Sequence, residues 1–195
     1  IYSRNSTYAW PVERNHVLES EGVRVIEAVV EGVSGLAVGD RVGYTLANGD
    51  YATHRVIDAG YVVKLPDNVS GELAASIMLK GLTVAYLIHD SFRVEAGHTV
   101  LFHAAAGGVG LIAGQWLNAL GATVIGTAGG AEKCALAKAN GYHHVIDYTS
   151  TDFEAEVMRL TDGKGVDVTY DSVGNDTMAR SLTSTSRHGT IIAFG

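Results

Sequence analysis

The second half of the chain alternates short apolar runs with longer amphipathic segments. The apolar runs predict five β-strands, at residues 99–103, 123–126, 144–147, 166–171 and 190–194. The segments between them predict four helices, at residues 108–120, 131–140, 152–160 and 176–186. Strands that alternate with helices at this spacing indicate an α/β fold, a doubly wound parallel sheet with helices on both faces.

The first 65 residues follow a different pattern. Short β-type runs occur at residues 23–30, 41–46 and 51–57, and turn residues such as Asn48-Gly49-Asp50 separate them. This spacing predicts a compact β-rich domain. Ser70 then offers a helix cap, and two helices are predicted at 73–78 and 82–91. The chain is therefore divided into a β-rich domain at 1–80 and a doubly wound domain at 81–195.

Composition and charge narrow the classes of protein. The chain is 47% hydrophobic and 18% charged, which is enough apolar material for a core and excludes a disordered chain. The net charge of −7 is spread over both halves, so neither half is a polycation and nucleic-acid binding is not expected. The lone Cys134 excludes an internal disulfide and fits a reducing cytoplasm.

One long stretch has no charged side chain. The 36 residues from 96 to 131 exceed the roughly 20 residues that a bilayer requires. His98, His103, Gln115 and Asn118 interrupt the stretch, and nine glycines lie between Gly97 and Gly130. A buried strand, helix and strand explain it better than a membrane span.

A glycine-rich loop lies between the first strand of the doubly wound half and its helix. Matched to the pattern G-x-G-x-x-G, Ala105 takes the first position, Gly107 the second and Gly110 the third. The second glycine lets backbone approach a pyrophosphate, and the third lets the helix pack on the strand. The helix N-terminus adds amide N–H groups for the phosphates. The loop therefore predicts dinucleotide binding.

The second strand carries no acid at its end. An NAD site would place Asp or Glu about 20 residues after the loop to hold the ribose 2′-hydroxyl. Thr127 stands there, beside the small Gly126. Two residues can reach a 2′-phosphate: Lys133 in the first turn of the next helix, and Tyr148 at the end of the third strand. The alternative is that Lys133 is an ordinary solvent-exposed helix lysine with no ligand, which is the more common case for such a residue. NADPH is therefore favoured over NADH.

The histidines predict no metal site. His143 and His144 are neighbours on a strand, where adjacent side chains point to opposite faces, so the pair is interpreted as structural. His54, His89 and His103 lack a ligand partner at useful spacing, although His103 ends the first strand and is expected near the cofactor.

Three stretches together carry a family resemblance. They are the segment from Gly97-His98 through Ala105-Ala106-Gly107-Gly108 to Gln115, the segment Leu79-Lys80-Gly81-Leu82-Thr83-Val84-Ala85-Tyr86, and Gly39-Asp40-Arg41-Val42. The chain resembles the zinc-independent quinone oxidoreductase (zeta-crystallin-like) branch of the medium-chain dehydrogenase/reductase superfamily. It departs from the signature of that branch at Asn118, where Lys, Arg or Ser is usual.

The resemblance implies a GroES-like catalytic domain, a Rossmann domain that binds NADPH, and hydride transfer to a quinone. Because such sheets commonly have six strands, the chain is expected to be an internal fragment without the last one. The resemblance also implies a homodimer, and it leaves no metal site because Glu19-Ser20-Glu21 replaces the zinc-binding Gly-His-Glu. The implied site residues are Tyr2 and Thr83 beside the nicotinamide, Ala106, Gly107, Gly108 and Val109 at the pyrophosphate, Gly126, Lys133 and Tyr148 toward the adenosine, and Ser172, Phe194 and Gly195 on the nicotinamide side.

Two matters stay open at the level of sequence. The family usually has glycine where this chain has Glu19, Arg24 and Val30, and each replacement costs on the order of 1 kcal/mol if the backbone there needs a positive φ. The acceptor is the second matter, since an enone or enoyl-thioester reductase uses the same scaffold. A crystallin-like NADPH-binding stress protein and an inert fragment are further alternatives.

Overall fold

The computed structural model describes residues 21–45 and 49–195 of the chain. The chain divides into two compact units, Ile1–Leu79 and Lys80–Gly195. Tyr2 and Glu19, which the sequence analysis singled out, lie outside the described residues.

The first unit contains a three-stranded antiparallel sheet. Its strands are β1 (Glu21–Val25), β2 (Arg41–Thr45) and β3 (Val62–Lys64), in the order β1-β2-β3. A short 3-10 turn at Ala59–Tyr61 leads into β3. The central strand supplies the buried Val42 and Tyr44, as expected for a strand paired on both edges.

Two strand predictions in this unit are wrong. The run 51–57 forms bends and irregular backbone, and the run 23–30 is a strand only as far as Val25. At the start of the run 51–57, the guanidinium of Arg24 donates to the carbonyls of Asp50 and Ala52 at 2.9 and 3.1 Å. Those carbonyls therefore bond to a side chain instead of a partner strand. Arg24 and Val30 do not adopt positive φ, so replacing glycine there costs no left-handed strain.

One helix replaces the two that were predicted between residues 73 and 91. Helix α1 runs over Gly71–Tyr86 and ends in a π-helical turn at Leu87–Ser91. Gly81 does not break it, because a glycine inside a helix costs only about 1 kcal/mol relative to alanine. The cap at Ser70 is confirmed, since its hydroxyl accepts the amide of Leu73 at 3.1 Å.

The second unit contains a five-stranded parallel sheet, which confirms the doubly wound fold. The strands are β4 (Thr99–Phe102), β5 (Thr123–Ala128), β6 (His144–Asp147), β7 (Val166–Asp171) and β8 (Thr185–Ala193). The helices are α2 (Gly108–Ala119), α3 (Ala131–Ala139), α4 (Phe153–Leu160) and α5 (Met178–Ser184). The spatial order β6-β5-β4-β7-β8 places β4 at the centre.

Side chains alternate across the two faces of this sheet. Phe102 of β4 packs in one core cluster with Leu117 of α2. Leu101, its neighbour on the strand, packs in the other cluster with Phe153 and Val157 of α4. Because successive side chains on a strand point to opposite faces of the sheet, each layer of helices packs against a core of its own.

The last helix and strand differ from the prediction at their ends. Helix α5 stops at Ser184, and β8 begins at once with Thr185. The pairing of β7 with β8 is irregular: one residue separates Val166 from Val168, whereas four separate their partners Thr185 and Thr190. Because this bulge includes polar residues, the apolar pattern revealed only the second half of the strand.

Two apolar stretches bear on membrane insertion. The charge-free stretch 96–131 forms β4, α2 and β5, as predicted. Among the described residues, Gly71–Ser91 is long and apolar enough to cross a bilayer by length and composition. However, it carries Glu72, Lys80 and Asp90, and its Val84, Leu87 and Ile88 belong to the core cluster of the parallel sheet. Packing on the sheet therefore accounts for these three apolar residues, whereas Leu73, Ile77 and Leu82 of the same helix are exposed.

Candidate functional site

The carboxyl ends of β4 and its two neighbours form the candidate site. From β4 the chain proceeds outward through β5 to β6, and it then returns to the other side of β4 to form β7 and β8. Such a reversal opens a crevice at the carboxyl ends of the strands, where open α/β sheets bind their ligands.

The loop after β4 is fixed by its own backbone. Ala104 adopts φ 52°, a left-handed conformation that is uncommon for a residue with a side chain. Its carbonyl accepts the amide of Gly107 at 2.9 Å, and the amide of Ala105 donates to the carbonyl of Thr127 at 2.9 Å. The loop is thereby tied to the end of β5.

Gly110 lies where no side chain fits. A Cβ built there would stand 2.5 Å from the carbonyl oxygen of Ala104 and 2.6 Å from that of Ala105. These are backbone atoms that cannot turn aside. This is the close approach of helix to strand that the third glycine of a dinucleotide fingerprint permits.

The start of α2 presents amide groups toward the loop. The first helical hydrogen bond runs from the Leu111 amide to the Gly107 carbonyl at 2.9 Å. The amides of Gly108, Val109 and Gly110 therefore precede the helical ladder. Gly108 is exposed and Val109 is half buried, so a phosphate can reach their amides, whereas Gly110 is buried. The stem of Lys80 lies beside the loop, with Cδ 2.9 Å from a Cβ built on Gly108.

Small residues leave the end of β5 open. Gly130 has φ 87°, and nothing lies within 4 Å of a Cβ built on it. The hydroxyl of Tyr148 comes within 2.7 Å of a Cβ built on Gly129. Lys133 stands exposed in the first turn of α3, directly after this glycine pair. Tyr148 thus contacts the glycine pair and Lys133 follows it by three residues along the chain, and their binding of a 2′-phosphate stays a prediction.

Asp147 shapes this loop and was missed from the sequence. Its Oδ1 accepts the amide of Gly130 at 3.0 Å, the amide of Thr149 at 3.0 Å and the Thr149 hydroxyl at 2.7 Å. The Thr149 hydroxyl, followed by the two amides, holds the pKa of the Asp147 carboxyl below its usual range. The signal was the sequence Asp-x-Thr directly after a strand, which is typical of an Asx turn.

Gly126 contributes packing to the site. It is buried in β5, and a Cβ there would lie 2.6 Å from both the Ala105 Cβ and the ring of Tyr142. The Tyr142 hydroxyl in turn donates to the Gly110 carbonyl at 2.8 Å. Gly126 therefore lets the glycine-rich loop lie close to β5, and its predicted contact with the cofactor stays a prediction.

The residues predicted on the nicotinamide side lie together at the ends of β7 and β8. The amide of Phe194 donates to the Asp171 carbonyl at 3.1 Å, and its ring lies 5.8 Å from that of Phe102. A Cβ built on Gly195 would stand 3.8 Å from the carbonyl oxygen of the exposed Ser172. Thr83, half buried on α1, belongs to the same unit.

The comparisons with known proteins agree with this geometry. The family described as zinc-binding dehydrogenase matches residues 108–195. A quinone oxidoreductase of Escherichia coli, solved in complex with NADPH, superposes with a TM-score of 0.94 at 42% identity, covering 100% of this chain and 60% of that one. The chain belongs to the medium-chain dehydrogenase/reductase superfamily.

Other members of the superfamily match over most of the chain. A quinone oxidoreductase of Pseudomonas aeruginosa is 45% identical over 91% of this chain, and a 2-haloacrylate reductase of a Burkholderia species is 42% identical over 92%. The chain spans about half the length of these curated relatives, 55% in each case.

The neighbouring His143 and His144 have structural surroundings. His143 accepts the amide of Val124 at its Nδ1, at 3.0 Å, which supports the structural interpretation of the His143-His144 pair. Burial, followed by the charge of Lys138, lowers the pKa of His144. Within 21–45 and 49–195, no group of three or more His, Cys, Asp or Glu side chains could hold a metal ion. Cys134 lies half buried on α3, and burial raises its pKa.

His103 lies in a buried polar network beneath the site, which the sequence analysis did not foresee. It is 1% exposed, and its ring nitrogens lie 2.8 Å from the Thr127 hydroxyl and 2.9 Å from the Ser181 hydroxyl. The Ser181 hydroxyl donates to Oδ2 of Asp171 at 2.7 Å. Burial lowers the pKa of His103, and the charge of Arg180 lowers it further. His103 is therefore a neutral, hydrogen-bonded residue inside the fold.

Proposed function

We propose that this protein is an NADPH-dependent oxidoreductase that transfers hydride to a quinone or a similar conjugated carbonyl without zinc. The observation that carries the proposal is the pair of adjacent loops. The loop after β4 offers exposed amides beside close-packed glycines. The loop after β5 has no acid at its ribose position and is flanked by Lys133 and Tyr148.

The residues present fit a bound dinucleotide phosphate. The amides of Gly108 and Val109 would hold the pyrophosphate, since a helix start combines free donors with a positive dipole end. Lys133 and Tyr148 would hold the 2′-phosphate, one by charge and the other by its hydroxyl. The E. coli relative solved with NADPH, which has the same fold over the full chain, supports this choice of cofactor.

Bound NADPH would supply the hydride, so the protein needs only to orient and enclose the reactants. The nicotinamide ring would contact Ser172, Phe194 and Gly195 at the ends of β7 and β8. These contacts would determine which face of the ring meets the acceptor and how deeply the ring is bound. Thr83 would lie beside the same ring, and Tyr2 is, by the family resemblance, the candidate donor of the final proton. Because quinones accept electrons readily, no Lewis acid is required.

NADPH oxidation by the full-length protein tests the proposal. Turnover with 1,2-naphthoquinone should exceed the rate without acceptor, and kcat/KM for NADPH should exceed that for NADH. A 2′,5′-ADP resin should retain the protein more strongly than a 5′-AMP resin. Retention by the 5′-AMP resin alone would show that the cofactor assignment is wrong.

Reduction of a conjugated carbon–carbon double bond is the second candidate function. The 2-haloacrylate reductase relative, at 42% identity over 92% of this chain, favours it. The same hydride would then go to the β-carbon of an enone or acrylate. Parallel assays with 2-chloroacrylate, a crotonyl thioester and the naphthoquinone separate the two, because the true acceptor class should give the larger kcat/KM.

The proposal extends to the setting of the reaction. We propose that the enzyme works as a homodimer in the cytoplasm on small-molecule substrates, without a nucleic-acid or membrane partner. The net charge of −7 and the single cysteine support this setting. Light scattering of the full-length protein at several concentrations should give twice the mass of one chain.

A further inference from the structure

The hydrogen bonds around His103 can each be assigned a direction. Oδ1 of Asp171 accepts the amides of Val173 and Gly174, at 2.9 and 3.0 Å, and the Thr177 hydroxyl at 2.8 Å. A carboxylate that accepts this many donors is ionised and donates nothing. The Ser181 hydroxyl therefore donates its only proton to Oδ2 of Asp171.

That assignment fixes the tautomer of the histidine. Since the Ser181 hydroxyl already donates to Asp171, it accepts at 2.9 Å from Nε2–H of His103. A neutral imidazole with its proton on Nε2 accepts at Nδ1, so the Thr127 hydroxyl donates there at 2.8 Å. The network runs one way, from Thr127 through His103 and Ser181 to Asp171.

The two ends of the network lie under the two halves of the site. The carbonyl of Thr127 accepts the Ala105 amide at 2.9 Å and thus holds the glycine-rich loop. Asp171 holds the amides of the turn after β7, which begins with the exposed Ser172. His103 joins these ends from the residue after the central strand, and its buried ring lies edge-on to Phe153 at 5.0 Å.

We infer that His103 is a positioning residue that, through Thr127 and Ser181, sets the glycine-rich loop and the turn after β7 relative to each other. The inference rests on the proposed function, because it assigns these two loops to the two ends of NADPH. His103 itself touches neither cofactor nor acceptor. The three residues do not form a Ser-His-Asp catalytic triad either, because Ser181 lies between His103 and Asp171 and donates its proton to Asp171.

The inference predicts a split between binding and turnover. T127V removes the donor at the loop end, and it should weaken 2′,5′-ADP binding about 3- to 10-fold with kcat nearly unchanged. S181A removes the donor at the turn end, and it should lower kcat about 3- to 10-fold with 2′,5′-ADP binding nearly unchanged. H103L should show both effects, and T127V should add no further loss of 2′,5′-ADP binding to H103L.

Leu101 offers the matched control. It lies on β4 two residues before His103, is fully buried and contacts the same layer of helices. L101V should lower the melting temperature and leave both 2′,5′-ADP binding and kcat unchanged. If T127V and S181A change the two quantities to the same extent, or change neither, the network is merely structural and the inference is wrong.

The tautomer provides a readout that needs no activity. Nitrogen-15 NMR of the ligand-free protein, labelled at histidine, should show Nε2 protonated and Nδ1 bare in one buried histidine that disappears in H103L. Protonation at Nδ1 instead would overturn the assigned direction. A wild-type protein that shows this tautomer but fails to bind NADPH would contradict the proposed function and, with it, the role of the two loops.

Discussion

The loops after β4 and β5 lie at neighbouring strand ends, yet they are built in opposite ways. In the first, a Cβ on Gly110 would meet two carbonyl oxygens within 2.6 Å. In the second, a Cβ on Gly130 would meet nothing within 4 Å. The first loop is determined by backbone packing and the second by the side chains around an open space.

This difference separates the recognition of any dinucleotide from the recognition of NADPH in particular. A pyrophosphate is common to all dinucleotides, and rigid backbone amides suffice for it. A 2′-phosphate distinguishes NADPH from NADH, and the proposed contacts are the side chains of Lys133 and Tyr148. Mutations should therefore damage the fold at the first loop and change specificity at the second.

Gly110→Ala should have the largest effect. The added methyl group must displace the backbone of Ala104 and Ala105, since no side chain can move away. Overpacking of this kind costs about 3 kcal/mol, the upper end of the usual range. The urea midpoint of the variant should fall accordingly, and NADPH binding should be lost with it. A variant with wild-type stability would show that the loop is not fixed by packing.

Lys133→Met should change specificity without changing stability. The substitution keeps the length of the side chain at an exposed position and removes only the charge. If Lys133 holds the 2′-phosphate, KM for NADPH should rise about 10-fold, the low end for a hydrogen bond to a charged group. KM for NADH should stay the same.

Lys138→Met is the matched control for the lysine test. Lys138 is an exposed lysine at the far end of the same helix, where it donates to the His143 carbonyl. Its loss should affect neither KM. Equal changes in the NADPH and NADH values after Lys133→Met would indicate a role other than 2′-phosphate binding.

His103 beneath the first loop should make stability depend on pH. Burial lowers its folded-state pKa below the ordinary 6.5, so the unfolded chain binds the proton more readily. Stability is then complete above about pH 6.5 and falls as the pH drops, by at most about 1.4 kcal/mol per pH unit. The ionised Asp171 opposes this effect, whereas the positive Arg180 adds to it.

The measurement compares urea unfolding of wild type and H103Q at pH 7.5 and pH 5.5. The two proteins differ in no other titratable group, so the difference between their losses isolates His103. The wild type should lose more stability than H103Q on acidification. An equal loss in both proteins would place the folded-state pKa of His103 at its ordinary value.

The two loops also show which structural features the sequence could predict. Five strands and the glycine-rich loop followed from apolar periodicity and from glycine spacing, because backbone packing leaves a local signal. The contact of Asp147 with Gly130 and the network of His103 with Ser181 and Asp171 did not, because these partners lie 17 to 78 residues away along the chain. Such contacts arise only when strands from distant segments become neighbours.

Gly108→Ala should have the smallest effect on the fold and sharpens the comparison most. It lies two residues from Gly110, but the added Cβ would meet only the stem of Lys80, at 2.9 Å from Cδ, and a flexible stem can move aside. Alanine also suits a helix better than glycine, so the change in stability should stay within about 0.5 kcal/mol. The new methyl group would nevertheless stand on the exposed surface where the pyrophosphate is proposed to lie. If affinity for NADPH falls while stability is unchanged, then one part of the glycine-rich loop binds phosphate and another part holds α2 against β4. Unchanged affinity would place the phosphate elsewhere.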